Sequence, residues 1–260
     1  MAVARPSEPT QGTNANGRGA SRYAHDRMSA KPDPQAIAPR WARPVILLLA
    51  GLLAWFALDR YIAGLDGHKR AFDFLAPEYG AVQLDVLASR PVSEFLHRIG
   101  GTILLVTGLL QFWPKLRRER PKLHRAIGYS YIALALSAGA SGIYLGVRAP
   151  YGGVLETIPA VIFGVALIAT TVVALQLARQ RRFEVHREWM VRSFAFVLGP
   201  ISMRVYYLPM WSLLGVDELD AMWIAFWLGW LSTWIPAELW IAARKRRVQA
   251  MREGKAAARA

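Results

Sequence analysis

Six apolar stretches, each close to the length of one bilayer crossing, alternate along the chain with short polar connections. A hydrocarbon core takes about 20 apolar residues per helix. The stretches fall at residues 44–63, 95–114, 126–147, 154–177, 189–210 and 221–243. Pro114 and the basic run after it end the second stretch, because proline and charge stop both helix and hydrophobicity. Ala149-Pro150-Tyr151-Gly152-Gly153 is a turn signal between the third and fourth. The pattern predicts an all-α fold, a polytopic membrane helical bundle of about six transmembrane helices. Within a transmembrane domain over residues 44–243, the functional core is expected over 95–210, with the first and last helices more peripheral.

Residues 1–43 differ in kind. They are rich in Ala, Pro, Ser, Gly, Asn and Arg, show no hydrophobic periodicity and lack the apolar run of a secretory signal peptide, so a disordered cytoplasmic arm is expected. Residues 244–260 read as a basic cytoplasmic tail. Small residues recur in the third stretch at Gly128, Ser137, Gly139, Ser141, Gly142 and Gly146, predicting close backbone approach and a central place for that helix. The sixth stretch carries Trp223, Trp227, Trp230, Trp234 and Trp240, which predicts a lipid-facing helix anchored near the interfaces.

Charge supplies the orientation. The 260 residues are 54% hydrophobic yet carry a formal net charge of +14, so apolar and basic residues must be segregated. Arginine and lysine gather in three clusters: Lys115 to Lys122, Arg179 to Arg187, and Arg244 to Arg247. The alternate connections hold Asp66, Asp73, Glu78 and Asp85, and Asp217, Glu218 and Asp220. Positive residues stay on the cytoplasmic side, which puts both chain ends there, in the inner (cytoplasmic) membrane of a bacterium with membrane lipids as partners. Charge so confined to connections reports topology and excludes a nucleic-acid partner. The absence of cysteine excludes disulfides, thiolate metal sites and a cysteine nucleophile. No phosphate-cradling glycine loop, nucleophile elbow or His-Glu-x-x-His motif points to soluble enzyme chemistry.

The candidate chemistry lies in three His-Arg pairs, His97-Arg98, His124-Arg125 and His186-Arg187, each placed where a helix begins. The first two open the phrase His-Arg-x-x-Gly, a short internal repeat. With Gly108-Leu109-Leu110-Gln111-Phe112, Pro121-Lys122-Leu123-His124-Arg125, Gly128-Tyr129-Ser130-Tyr131, His186-Arg187-Glu188-Trp189-Met190-Val191-Arg192-Ser193 and Met203-Arg204-Val205-Tyr206, the chain over about residues 90–210 resembles the bacterial predicted membrane proteins grouped as DUF2306. The resemblance implies a membrane bundle and no particular activity, since the family's function is unknown. Tyr129 and the tryptophan-free fourth stretch depart from the family's usual pattern.

A rise of about 1.5 Å per residue sorts the polar groups into two layers. His97, Arg98, Glu156 and Arg204, with Tyr206 and Tyr207, form an outer layer; His124, His186, Arg192 and Glu238, with Gln111 and Trp113, lie near the cytoplasmic surface. Arg204, well inside an apolar helix, is costly unless it faces protein, water or an anion. Two structural ion pairs, Arg204 with Glu156 and Arg192 with Glu238, compete with a role in ligand binding. His124 and His186 are candidate metal ligands to one haem b iron, with Arg125, Arg187 or Arg192 on the propionates. Alternatively, His97 and Arg204 bind a small anion, a lipid headgroup or a quinone, with binding or transport as the function and histidine coupling it to protons. A third class is a structural or assembly factor whose His-Arg pairs only anchor helices at the interface.

Overall fold

The computed structural model describes Gly51 and residues 89–258. The amino-terminal arm, the expected first span at 44–63, the acidic connection after it, His25 and His68 all lie outside the described residues. Among the described residues every element is helical: α1 Pro91–Gln111, α2 Pro114–Glu119, α3 Pro121–Arg148, α4 Val154–Arg179, α5 Phe183–Ser212 and α6 Glu218–Ala257.

Helices α1, α2 and α3 each carry proline in the first turn, where the missing N–H costs nothing and the fixed φ suits helix entry. Pro114 therefore opens α2 and does not close the preceding helix, which ends at Gln111. The turn signal forms the α3–α4 loop, with Gly153 at φ +65°, a conformation that a side chain resists. Asp217 caps α6 by accepting from the Leu219 and Asp220 N–H groups.

Two described helices, Pro121–Arg148 and Val154–Arg179, are long and apolar enough to cross a membrane by length and composition. The other long helices carry charged or polar side chains within their length, such as His97 and Arg98 in α1, Arg192 and Arg204 in α5 and Glu238 in α6. Helices α1, α3, α4 and α5 close a four-membered ring, each packing on the next and α5 returning to α1, with α6 laid against α5 and α4. Leu104, Leu105, Tyr131, Ala135, Phe163, Leu167, Ala174, Phe194 and Val197 fill the ring. Antiparallel α1 and α3 keep His97 and His124 at opposite ends: His97 meets Ala138 midway along α3, whereas Gln111 at the end of α1 donates to the His124 carbonyl at 3.1 Å.

Close approach on α3 agrees with its small residues. A Cβ on Gly139 would lie 2.8 Å from Ile168 of α4, and one on Gly146 would lie 2.6 Å from Ala160. Where lipid tails offer no hydrophobic drive, such van der Waals fit and interhelical hydrogen bonds hold helices together. Ser193 supplies the hydrogen bonds at the centre. Its hydroxyl meets Tyr131 Oη at 2.8 Å and Thr171 Oγ1 at 2.7 Å, tying α5 to α3 and α4 among residues that are completely buried.

The tryptophans of α6 do not all face lipid. Trp230 stacks on Phe163 with centroids 5.1 Å apart, and Trp227 meets the same ring edge-on at 5.9 Å. The cause is Pro200 inside α5: lacking an N–H, it leaves the Phe196 carbonyl without its helical donor, and the Trp230 indole donates to that carbonyl at 3.0 Å. Gly199 makes room, since a Cβ there would lie 2.1 Å from the indole. Helix α6 runs on through Ala257, so the basic run Arg244 to Arg247 is helical.

Candidate functional site

Four outer-layer residues, His97, Arg98, Glu156 and Arg204, line a cavity of about 240 Å³ between the helices, whereas Tyr206 and Tyr207 do not. Glu94, His97 and Arg98 reach it from the first two turns of α1, Glu156 from the first turn of α4, and Arg204 from α5 one turn past Pro200. Leu104, Phe163, Leu167, Phe196, Val197 and Trp230 give the cavity an apolar part of its lining. Gly139, Gly142 and Gly146 make the α3 side nearly flat, so the small-residue stripe serves the cavity as well as the packing.

Each polar group is held. Glu94 and Arg98, four residues apart, form an ion pair at 2.9 Å with both side chains largely buried. Glu156 folds back over the α3–α4 loop and accepts from the Gly152 and Tyr151 N–H groups, the former at 2.5 Å. Arg204 donates from Nη1 to the Pro200 carbonyl at 2.7 Å. His97 Nδ1 lies 3.1 Å from the Ala138 carbonyl, and its Nδ1–Cε1 edge rests where a Cβ on Gly142 would stand, 2.9 Å from Cε1. His97 is nonetheless exposed, and it lines the cavity. A lining that mixes acid, base and guanidinium groups with aromatic rings suits a small amphiphile with a polar head.

The other candidates stand at the opposite end. His186 Nδ1 is 2.7 Å from the Ala174 carbonyl, and His186 is near enough to His124 to act on its charge. Nδ1 of His124 is buried without a hydrogen-bond partner. Arg125 is exposed. Arg192 makes a bidentate pair with Glu238 at 2.6 and 2.9 Å, and its guanidinium lies 4.9 Å from the Trp189 ring centroid. Two more ion pairs join α5 to α6 there, Glu188 with Lys245 at 3.0 Å and Glu184 with Arg244. The hydrogen bond from Arg244 holds the Glu184 carboxyl below the usual carboxylate range, aided by Arg187 and Arg117. Those three arginines belong to α6, α5 and α2, so the three basic clusters occupy one end of the bundle.

Two sets of residues escaped sequence reasoning. Glu94 could have been found as the carboxylate four residues before Arg98, a spacing that pairs charges on one helical face. The Tyr131–Ser193–Thr171 network had no such signal, because hydroxyl residues are common in membrane helices and only the packing brings these three together.

No curated protein and no solved structure matches the chain. Residues 94–241 match the profile of a family described as "Predicted membrane protein (DUF2306)". That region holds both polar layers and every cavity-lining residue, and it spans more than half of the chain, which therefore belongs to the DUF2306 family of predicted membrane proteins.

Proposed function

We propose that this protein is a multi-pass protein of the bacterial cytoplasmic membrane that binds a small membrane-soluble amphiphile in the cavity between α1, α3, α4 and α5. The shortest of the five long described helices has 21 residues, about 31 Å at 1.5 Å per residue, which matches the hydrocarbon thickness of about 30 Å. With the expected span at 44–63 they make six crossings. The end that gathers Arg117, Arg187 and Arg244 is cytoplasmic by the retention of positive charge, and the cavity's polar rim then opens toward the outer half of the bilayer.

The observation that carries this function is the joining of two chemistries in one cavity, which both the Arg98 and Arg204 side chains and the stacked Phe163 and Trp230 rings line. An acidic or carbonyl-bearing head is held by the first and an apolar body by the second. Organic extraction of the purified protein, followed by mass spectrometry, should recover a small amphiphile in near one-to-one amount from wild type and much less from Arg204→Ala. Identical extracts from the two would sink the proposal.

A second reading is haem b held between His124 and His186. It is favoured by the Ala174 carbonyl, which fixes the His186 ring through Nδ1 and leaves Nε2 as the ligating nitrogen, a common arrangement behind metal-bound histidine. Arg125 and Arg187 would pair with the propionates. A Soret band that shifts on reduction, lost in both His124→Ala and His186→Ala but kept in His97→Ala, is the expected signature. Colourless protein from haem-replete cells would remove this reading.

A further inference from the structure

We infer that the cavity's occupant carries a phenolic O–H of the hydroquinone type, and that His97 accepts its hydrogen bond; the inference rests on the amphiphile-binding function proposed above. The Ala138 carbonyl can only accept, so the 3.1 Å contact obliges Nδ1 of His97 to carry a proton. In the neutral ring Nε2 is then a lone-pair acceptor and cannot donate. The tautomer is thus set by the backbone of α3, and it cannot be reversed without losing that bond.

The ring is also held in place sideways. Its Nδ1–Cε1 edge rests against Gly142, which leaves the edge with Nε2 to the cavity that His97 lines. A ligand group meeting Nε2 must bring a hydrogen of its own. Fatty acids and phosphate esters ionised near neutral pH bring none; a phenol or hydroquinone does.

Size and wall chemistry agree. A cavity of about 150 Å³ accommodates benzene, so about 240 Å³ holds a single ring with its oxygen substituents and the root of an alkyl chain. Phe163 and Trp230 offer aromatic surface to the ring. Arg98 and Arg204 are donors that can serve a second ligand oxygen while His97 accepts the O–H, the complement of a head with one O–H and one lone-pair oxygen. No electron transfer is required for this recognition.

Three probes test it on the full-length protein in mild detergent under anaerobic, reducing conditions: pentylhydroquinone, its dimethyl ether, and, without reductant, pentylbenzoquinone. Thermal stabilisation measured against concentration should show the hydroquinone binding about tenfold more tightly than the ether, the worth of one well-made hydrogen bond. His97→Leu should erase that preference, and His97→Gln, which retains an acceptor, should restore part of it. Gly142→Leu, which drives a side chain into the ring's place, should abolish binding of all three. Equal affinity for hydroquinone and ether in wild type overturns the inference, and that arm needs no variant to fold. Equal affinities that Gly142→Leu removes leave the cavity as the binding site and defeat only the hydroxyl assignment. Binding that survives Gly142→Leu places the probes elsewhere and defeats both, and no stabilisation by any probe defeats the hydroquinone class while the extraction experiment still judges the cavity.

Discussion

The two ends of the bundle are built from the same residue types and use them differently. At the end that gathers the basic clusters Arg192, Lys245 and Arg244 each meet a carboxylate on the facing helix, so the charges of α5 and α6 neutralise one another in a seam. At the other end Glu94 and Arg98 pair within one helix, Glu156 is taken up by loop N–H groups, Arg204 bonds its own helix, and all of them border the same cavity. Charges paired across an interface fix helices to each other. The second set borders the space between the helices as well as its own hydrogen-bond partners.

The comparison is sharpest at its two interior arginines. Arg192→Ala strips Glu238 of a bidentate partner whose side chains are 18% and 36% exposed, intermediate between a surface and a buried pair, and should lower stability by about 2 kcal/mol. Arg204→Ala should remove the ligand's contribution to stability. Thermal midpoints of the two variants with and without added amphiphile check both, and the contrast breaks if Arg204→Ala leaves the ligand-induced rise unchanged.

Ser193→Ala should cost somewhat less than the loss of Arg192, about 1.5 kcal/mol, since it leaves the Tyr131 and Thr171 hydroxyls buried without their shared partner. Because Ser193 belongs to neither end, hydroquinone affinity should remain within about twofold of wild type. A large drop in affinity without a change in thermal midpoint would show that the central network belongs to the site and is more than a tie between helices.

Sequence reasoning succeeded where a residue's own position sufficed. The order of the five long described helices, the α3–α4 turn, the segregation of basic connections and the two polar layers follow from chain order, rise per residue and the cost of burying charge. The Arg192–Glu238 pair was legible for the same reason, since the two residues fall at one depth on helices of opposite direction. Arg204 and Glu156 share a depth too, yet each is engaged by a different backbone group, a choice that depends on where Pro200 and the Gly152 loop fall in space. The tryptophans of α6 show the same limit. Composition suggests lipid-facing anchors, but the orphaned Phe196 carbonyl draws Trp230 inward, and a carbonyl on one helix leaves no mark on the sequence of another.

By itself, then, the sequence determined that this chain is a helical membrane protein with its positive charge gathered at one end, because hydrophobicity and charge act residue by residue against the bilayer. Only the tertiary structure decided which histidine borders a cavity, which tautomer its neighbour imposes and which arginines are neutralised across helices. Those depend on the rotation and separation of helices, set by glycine contacts, proline breaks and side-chain fit among residues far apart in the chain.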